Sequence, residues 1–449
     1  MKKTAGVGVL SQCLSRSRLP AQGTNVRAAL ETEWLAYSHE HILPESERLR
    51  TTVDLFTLIS HYTINDLVSA GLSGQMRSES LRTDVPVAVR WKAMAPYWEK
   101  ARNTGYSRAL EIALRDIYGA GELNEKTCEQ ISERITAANK KGINERILKD
   151  KSRIRLAVLD DYFNTDPVKP ELSLFVTARR FDRFISITSR DSLRKLEEST
   201  GSSLTTLAQL EQALEKDFER NLKAGSMAAI KVAVAYSRPL YFREATREEA
   251  ERDFEKAAAN AVAREGSRAG QLTNVAAKSL QDFMLHRLMQ LAREHHVPVQ
   301  VHTGLQSGTG NYLPNSNPTH LINLFLDYPA VLFDLFHAGY PYVSETAALG
   351  KMFPNVYVDL CWLHIISPSV SRSALHEYLE TVPSNKILGF GGDYRYAELT
   401  YGHSVMAREN MIRVLEQKVA EGYFSEPQAI TVGKRLFYDN AAELFPSRA

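Results

Sequence analysis

From about residue 225 the chain alternates short apolar runs with longer amphipathic stretches, and this alternation limits the fold more than any other feature. The apolar runs cover residues 227–236, 297–302, 331–337, 356–360 and 387–393. Helical spacing fills the intervals, with a long stretch over 272–295 and shorter ones near 319–327, 344–352 and 371–380. Strands that are apolar on both faces and alternate with helices belong to a parallel sheet. Two further helices, about 403–421 and 426–444, finish the chain. The first half is less regular. Residues 34–41, 154–159 and 172–176 read as strands, and 54–149 as helical. That makes eight strands, the number that closes a (β/α)8 barrel. The join from Asp161 to Leu172 is short for a crossover, which takes about a dozen residues or more, so a loop or single turn is expected there.

The expected fold class is therefore α/β, a (β/α)8 TIM barrel with a helical insertion after the first strand. Residues 1–28 read as a loose leader, and 29–449 as one barrel domain that carries the insertion at about 45–150.

A barrel of this kind builds its active site at the carboxyl ends of its strands. His41, His302, His337 and Asp393 all fall at such ends. The first strand closes on His39-Glu40-His41, and alternation puts both imidazoles on one face with Glu40 opposite. Two neutral imidazoles that converge suit zinc, manganese or iron, although a bare pair of this spacing also occurs as ordinary surface histidines. Lys231 lies inside an otherwise apolar strand, where an isolated ammonium is costly to bury. It either reaches outward or is neutralised; in metal barrels carboxylation to a bridging carbamate does this. Arg395, two residues past Asp393, would share its face if the strand continues and could clamp a carboxylate, or form an internal salt bridge. The loop 304–317 lacks a phosphate-loop signature and reads as a mobile lid.

Composition narrows the partners. The 449 residues carry a net charge of +2 with both signs interspersed, which argues against a nucleic-acid footprint. No stretch approaches the roughly 20 apolar residues of a membrane span. The three cysteines, Cys13, Cys128 and Cys361, are scattered and suggest no disulfide framework, so a reducing cytoplasm is expected. The expected partner is a small-molecule substrate, with no nucleic acid and no membrane; a homo-oligomer is compatible.

Taken together, His39-x-His41, the histidines of strands five and six, and the aspartate of strand eight resemble the amidohydrolase superfamily, which implies a TIM barrel of metal-dependent hydrolase type. Residues 228–400 look most like its nodulin/FluG-type amidohydrolase-related branch, through Lys231-Val-Ala-Val-Ala235, Val299-Gln300-Val301-His302-Thr303-Gly304, Asn317-Pro318-Thr319-His320, His337-Ala338-Gly339-Tyr340-Pro341 and Pro354-Asn355-Val356-Tyr357-Val358-Asp359. A second resemblance runs to the uronate isomerases of the same superfamily. His61-Tyr62, Arg180-Phe181-Asp182, Trp362 and Asp393-Tyr394-Arg395 look like that branch's substrate-gripping positions. Phe181 stands where those enzymes carry proline, and His337 is a residue the hydrolases use more.

These readings give a divalent-metal enzyme, with zinc ahead of manganese or iron and one or two ions. The expected metal ligands are His39, His41, His302, Asp393 and, if carboxylated, Lys231. Asp393 would move protons, and His337 would hold the developing oxyanion. Arg395, His61, Tyr62, Arg180 and Trp362 would bind substrate. The leading reaction is hydrolysis of a C–N or C–O bond in a small, carboxylated metabolite. Aldose–ketose isomerisation of a hexuronate is the alternative, and non-oxidative decarboxylation a third.

Overall fold

The computed structural model describes residues 25–160, 166, 167, 169–225, 227–259 and 277–446. Eight strands form one sheet in chain order: β1 Leu35–Glu40, β2 Ile154–Asp160, β3 Phe175–Arg180, β4 Met227–Val232, β5 Val299–Val301, β6 Phe333–Leu335, β7 Val356–Asp359 and β8 Ile387–Leu388. All seven successive pairs are parallel. The ring closes between the two ends of the chain. Ser38 N–H donates to Phe390 O (3.0 Å), Asp393 N–H to His39 O (3.2 Å) and His41 N–H to Tyr394 O (3.2 Å).

The strands are covered on both sides, as parallel strands must be; every residue of β1 and of β4 is buried. Helices Leu207–Lys223, Lys278–Glu294, Val343–Met352, Pro368–Thr381 and Ala397–Ala420 pack outside. Leu207–Lys223 starts at a capping box in which Thr206 and Gln209 satisfy each other's backbone N–H groups. No described helix is long and apolar enough to cross a membrane.

Several boundaries differ from the sequence reading. β3 runs to Arg180 instead of ending at Val176, because Arg179 and Arg180 find partners where the strand meets the barrel mouth. β4 stops at Val232 and turns into a 3-10 segment, Val234–Tyr236. β8 is only two residues long. Beyond it the chain threads close to its neighbours: a Cβ on Gly391 would lie 2.6 Å from Cys361 Sγ, and one on Gly392 1.8 Å from Glu40 Oε1. The long helix is described from Lys278, and 272–276 lie outside the described residues. No described residue between β2 and β3 is helical, and 161–165 and 168 lie outside the description. Residues 1–24 of the expected leader are likewise outside it, but Asn25–Leu30 is a helix that buries Val26 and Leu30.

After β1 the chain makes a long helical excursion, which includes Leu55–Ile59, Val87–Ala101, Gly105–Tyr118 and Cys128–Ala138, before the π-helical turn Arg146–Lys151 leads into β2. Its core is continuous with Cys361, Trp362, Tyr394 and Leu399, so it covers the mouth formed by the last strands. A buried ion pair fastens it there. Arg48 donates to both oxygens of Glu398 (2.6 and 2.8 Å), and Tyr118 Oη–H donates to Glu398 Oε1 (2.5 Å).

Candidate metal centre and cavity

β1 delivers His39, and His41 follows immediately; their Nε2 atoms are 3.2 Å apart, with Glu40 turned the other way. Glu40 Oε2 accepts from Tyr394 N–H and Thr400 Oγ1–H, each at 3.2 Å. Asp393 Oδ1 lies 3.3 Å from His39 Nε2 and 3.1 Å from His41 Nε2. The donor atoms of these three residues all fall within 4.8 Å of one another.

Protonation makes the arrangement informative. His41 Nδ1 lies 2.8 Å from Asp160 O and donates to it, so a neutral His41 presents a lone pair at Nε2. That lone pair faces a carboxylate oxygen and a second imidazole. Burial, reinforced by the Lys231 charge, pushes His39 down to about 3, so a proton is a poor occupant near neutrality. Burial raises the Asp393 carboxyl, but the hydrogen bonds and charges of His39 and His41 outweigh it and hold the group well below the usual range. Two imidazoles that converge on one carboxylate, one of them oriented by a backbone carbonyl, make the donor set of a divalent cation. The residues fit such an ion.

The centre opens on a cavity of about 300 Å³ lined by His39, His41, His61, Tyr62, Arg180, Lys231, Tyr236, His302, Ser307 and Asp393. Lys231 reaches inward. Its Nζ sits 3.4 Å from the centroid of Phe336 and has no hydrogen-bond partner among the described residues. Burial pushes the amine down to about 8, partly offset by Asp160. Arg180 grips Asp160 through Nε (3.0 and 2.9 Å) and Nη2 (2.6 Å). Burial opposes the Asp160 charge, but Arg180 foremost holds it well below the ordinary carboxylate range. His61 is pushed down to about 3 by burial and then by His41. Its ring lies 4.1 Å from Tyr62, which in turn stacks on Trp362 at 4.6 Å.

Not every expected residue joins the centre. His302 lines the cavity but sits beside His337, with Nδ1 3.2 Å from His337 Nε2, rather than within the tight three-residue set. His337 is fully buried, donates through Nδ1 to Cys361 O (3.0 Å), and does not line the cavity. Trp362 also lies one layer back, behind Tyr62. Arg395 is absent from the lining, and its shared face with Asp393 does not arise: the chain leaves strand geometry after Leu388, and Asp393 has φ +59°. The loop expected to be a lid does overlie the cavity through Ser307. Its base is pinned: Gly304 N–H donates to Ser316 O (2.8 Å) and Ser307 N–H to Tyr236 Oη (3.0 Å).

Sequence reading missed Tyr236, Ser307 and the bridging part of Asp160. Asp160 carried a legible signal, a carboxylate closing an apolar strand; the other two reach the cavity only through loop geometry. Backbone strain marks the same region. Tyr62 (φ +62°), His337 (+62°), Ala338 (+51°), Trp362 (+64°) and Asp393 (+59°) occupy left-handed conformations that cost non-glycine residues on the order of 1 kcal/mol or more each. Such strain persists where the surroundings over-determine it, commonly at functional sites.

The comparisons agree with this geometry. Residues 230–447 match the amidohydrolase family model. Over that stretch the chain is similar to the amidohydrolase superfamily. Protein fluG of Emericella nidulans is 32% identical over 174 residues, which is 37% of this chain and 20% of that protein. The chain thus spans about a fifth of the curated relative it matches. Among solved structures, a uronate isomerase from Thermotoga maritima superposes with a TM-score of 0.74 at 18% identity, over 94% of this chain and 96% of that one. A glucuronate isomerase from Caulobacter crescentus gives 0.74 at 19%, over 94% and 92%. A protein described as a metal-dependent hydrolase from Lactobacillus casei gives 0.63 at 17%, over 94% and 97%. At these identities the structures establish a shared fold. The amidohydrolase barrel is common ground; the reaction is not.

Proposed function

We propose that this amidohydrolase-superfamily barrel is a metal-dependent hydrolase that cleaves a C–N or C–O bond in a small, carboxylated metabolite. The observation that carries this reading is the convergence of His39 Nε2, His41 Nε2 and Asp393 Oδ1 at the wall of a cavity that also exposes Lys231. His39, His41 and Asp393 would hold a divalent ion, zinc first on the chemistry of the donors. The ion would supply Lewis acidity, which lowers the pKa of water towards neutrality and polarises a substrate oxygen.

The protein supplies the rest. Asp393, kept ionised by its two histidines, takes the proton from the attacking water and returns it to the leaving group. The Lys231 amine pairs with the substrate carboxylate and fixes its distance from the centre. Tyr62 donates to a substrate oxygen from the cavity wall, and Ser307 and Tyr236 limit the access of bulk water. The His302 ring is held by its Nε2–H, which donates to Leu305 O (2.9 Å), with His337 packed behind it.

Asp393→Asn, compared with wild type by elemental analysis and by turnover of a panel of N-acyl amino acids and carboxylated esters, tests the reading. The variant is expected to bind less metal and to lose activity by a factor on the order of 10²–10⁴. Wild-type protein that binds no zinc or manganese would sink the proposal. One observation favours a second reading: His61, Tyr62 and Arg180, which resemble uronate isomerase positions, line this same cavity. Isomerisation predicts exchange of the C2 proton of glucuronate with deuterated solvent, and hydrolysis predicts none.

A further inference from the structure

Asp393 reaches the centre at the end of a segment that offers little to hold. β8 stops at Leu388, and three of the next four residues, Gly389, Gly391 and Gly392, are glycines. Glycine loses more freedom on ordering than any other residue and has no side chain to anchor. Asp393 itself stands in a left-handed conformation, φ +59°, which persists only where its surroundings impose it. The carboxylate is therefore placed by whatever grips this backbone.

Four successive carbonyls each have their own donor. His364 Nε2–H donates to Gly389 O (2.9 Å) and Ser38 N–H to Phe390 O (3.0 Å). Trp362 N–H donates to Gly391 O (3.0 Å) and His403 Nδ1–H to Gly392 O (3.0 Å). Two of these donors are side-chain rings, and they hold the first and last glycine of the run. We propose that His364 and His403 are positioning residues, which hold residues 389–392 on the path that brings Asp393 to His39 and His41. Their role rests on the metal reading of those three residues and extends it to side chains that do not line the cavity.

The two rings use opposite nitrogens, and their surroundings fix which. Both are fully buried, and burial pushes His364 down to about 4 and His403 well below the ordinary histidine range. Each neutral ring has one proton, and a carbonyl can only accept, so that proton sits on Nε2 of His364 and Nδ1 of His403. The His364 lone pair, at Nδ1, lies 3.5 Å from Asn410 Nδ2, which also donates to Ser371 Oγ (3.1 Å). Asn410 and His403 stand two turns apart on Ala397–Ala420, so one helix face serves both rings. The His403 lone pair, at Nε2, is buried without a hydrogen-bond partner among the described residues, and the ring packs on Phe390 (4.7 Å). An unpartnered buried acceptor is a cost that an apolar residue in the same space would avoid. What His403 supplies and an apolar residue would not is the Nδ1 donor.

Zinc affinity of the full chain, measured by competition with a chromogenic chelator, tests this through crossed substitutions. The amide nitrogen of asparagine falls near the place of a histidine Nδ1, and that of glutamine near Nε2. His403→Asn and His364→Gln are therefore expected to bind zinc close to wild-type affinity. His403→Gln and His364→Asn are expected to bind it about 10–100-fold more weakly, the scale on which supports of metal ligands act. A role in packing alone would not reverse the order of the two amides between the two sites. Wild type that binds zinc while all four variants bind alike, tightly or weakly, would overturn the inference and leave the metal reading standing. Wild type that binds no zinc would overturn both. Should a mismatched variant fail to fold, the pair at the other histidine still gives the deciding comparison.

Discussion

The barrel up to β3 and the barrel from β4 onward share one ladder but are built differently. From β5 onward strands and helices follow at short intervals, and the half that begins with β4 contains the family match. Before it, β1 is followed by the helical excursion that ends in Arg146–Lys151. The later half contributes Lys231, His302, His337 and Asp393; the earlier half contributes His39, His41, His61, Tyr62 and Arg180. The candidate centre lies where the halves meet, since His39 and His41 come from the first strand and Asp393 from just past the last. The difference teaches a division of labour. The seam gathers the converging imidazoles and carboxylate, while the excursion after β1 brings His61 and Tyr62 to the cavity wall.

Cutting the tie between the halves should have the largest effect on stability. Glu398 has no exposed surface and carries the excursion through Arg48 and Tyr118. Glu398→Ala leaves the Arg48 guanidinium buried without its anion, which is expected to cost about 3–5 kcal/mol in urea unfolding. Arg48→Met/Glu398→Leu should lose much less, because no charge is left stranded. Equal losses in the two variants would show that packing, not charge, joins the halves.

The two regions also differ in how much the sequence disclosed. All eight strands were legible in order, because runs such as those of β4, β6 and β7 are apolar and barrel strands need little more. Strand ends were less so. β8 was read to Asp393, yet Gly389, Gly391 and Gly392 sit against Leu436, Cys361 and Glu40, contacts that no local pattern encodes. The pair His39 and His41 was readable because strand alternation is local. The place of Asp393 beside them was an inference from barrel closure, and its positive φ was invisible. The shared face expected for Arg395 and Asp393 fails for the same reason: alternation ends where the strand has ended. Tyr236 and Ser307 were not singled out because a loop's reach depends on the whole mouth of the barrel.

A pH experiment sharpens the comparison from the later half. His364 is fully buried after β7, donates Nε2–H to Gly389 O (2.9 Å), and is pushed down by burial to about 4 from 6.5. The unfolded chain therefore binds this proton first as pH falls. The contribution is present above about 6.5 and is lost progressively towards the folded value of about 4. Between pH 7 and pH 5 this one group should remove about 2 kcal/mol of stability. His364→Gln, which can still donate to Gly389, should show a correspondingly smaller drop in urea midpoints over that range. An unchanged drop would place the acid sensitivity elsewhere.

The smallest effect bears most directly on the division of labour. Tyr62 lines the cavity from the excursion side, and its ring is held by stacking on Trp362 (4.6 Å) and Tyr106 (5.3 Å). Tyr62→Phe keeps that stack and removes only the hydroxyl. Loss of one hydrogen bond to substrate is worth about 1 kcal/mol, or a rise in KM of five- to tenfold. Metal stoichiometry should not move, since Tyr62 lies outside the set of His39, His41 and Asp393. A fall in bound metal would mean that the excursion helps to build the centre itself. A fall in kcat with KM unchanged would mean that the hydroxyl acts in the transition state, and the wall would then be part of the chemistry rather than a filter before it.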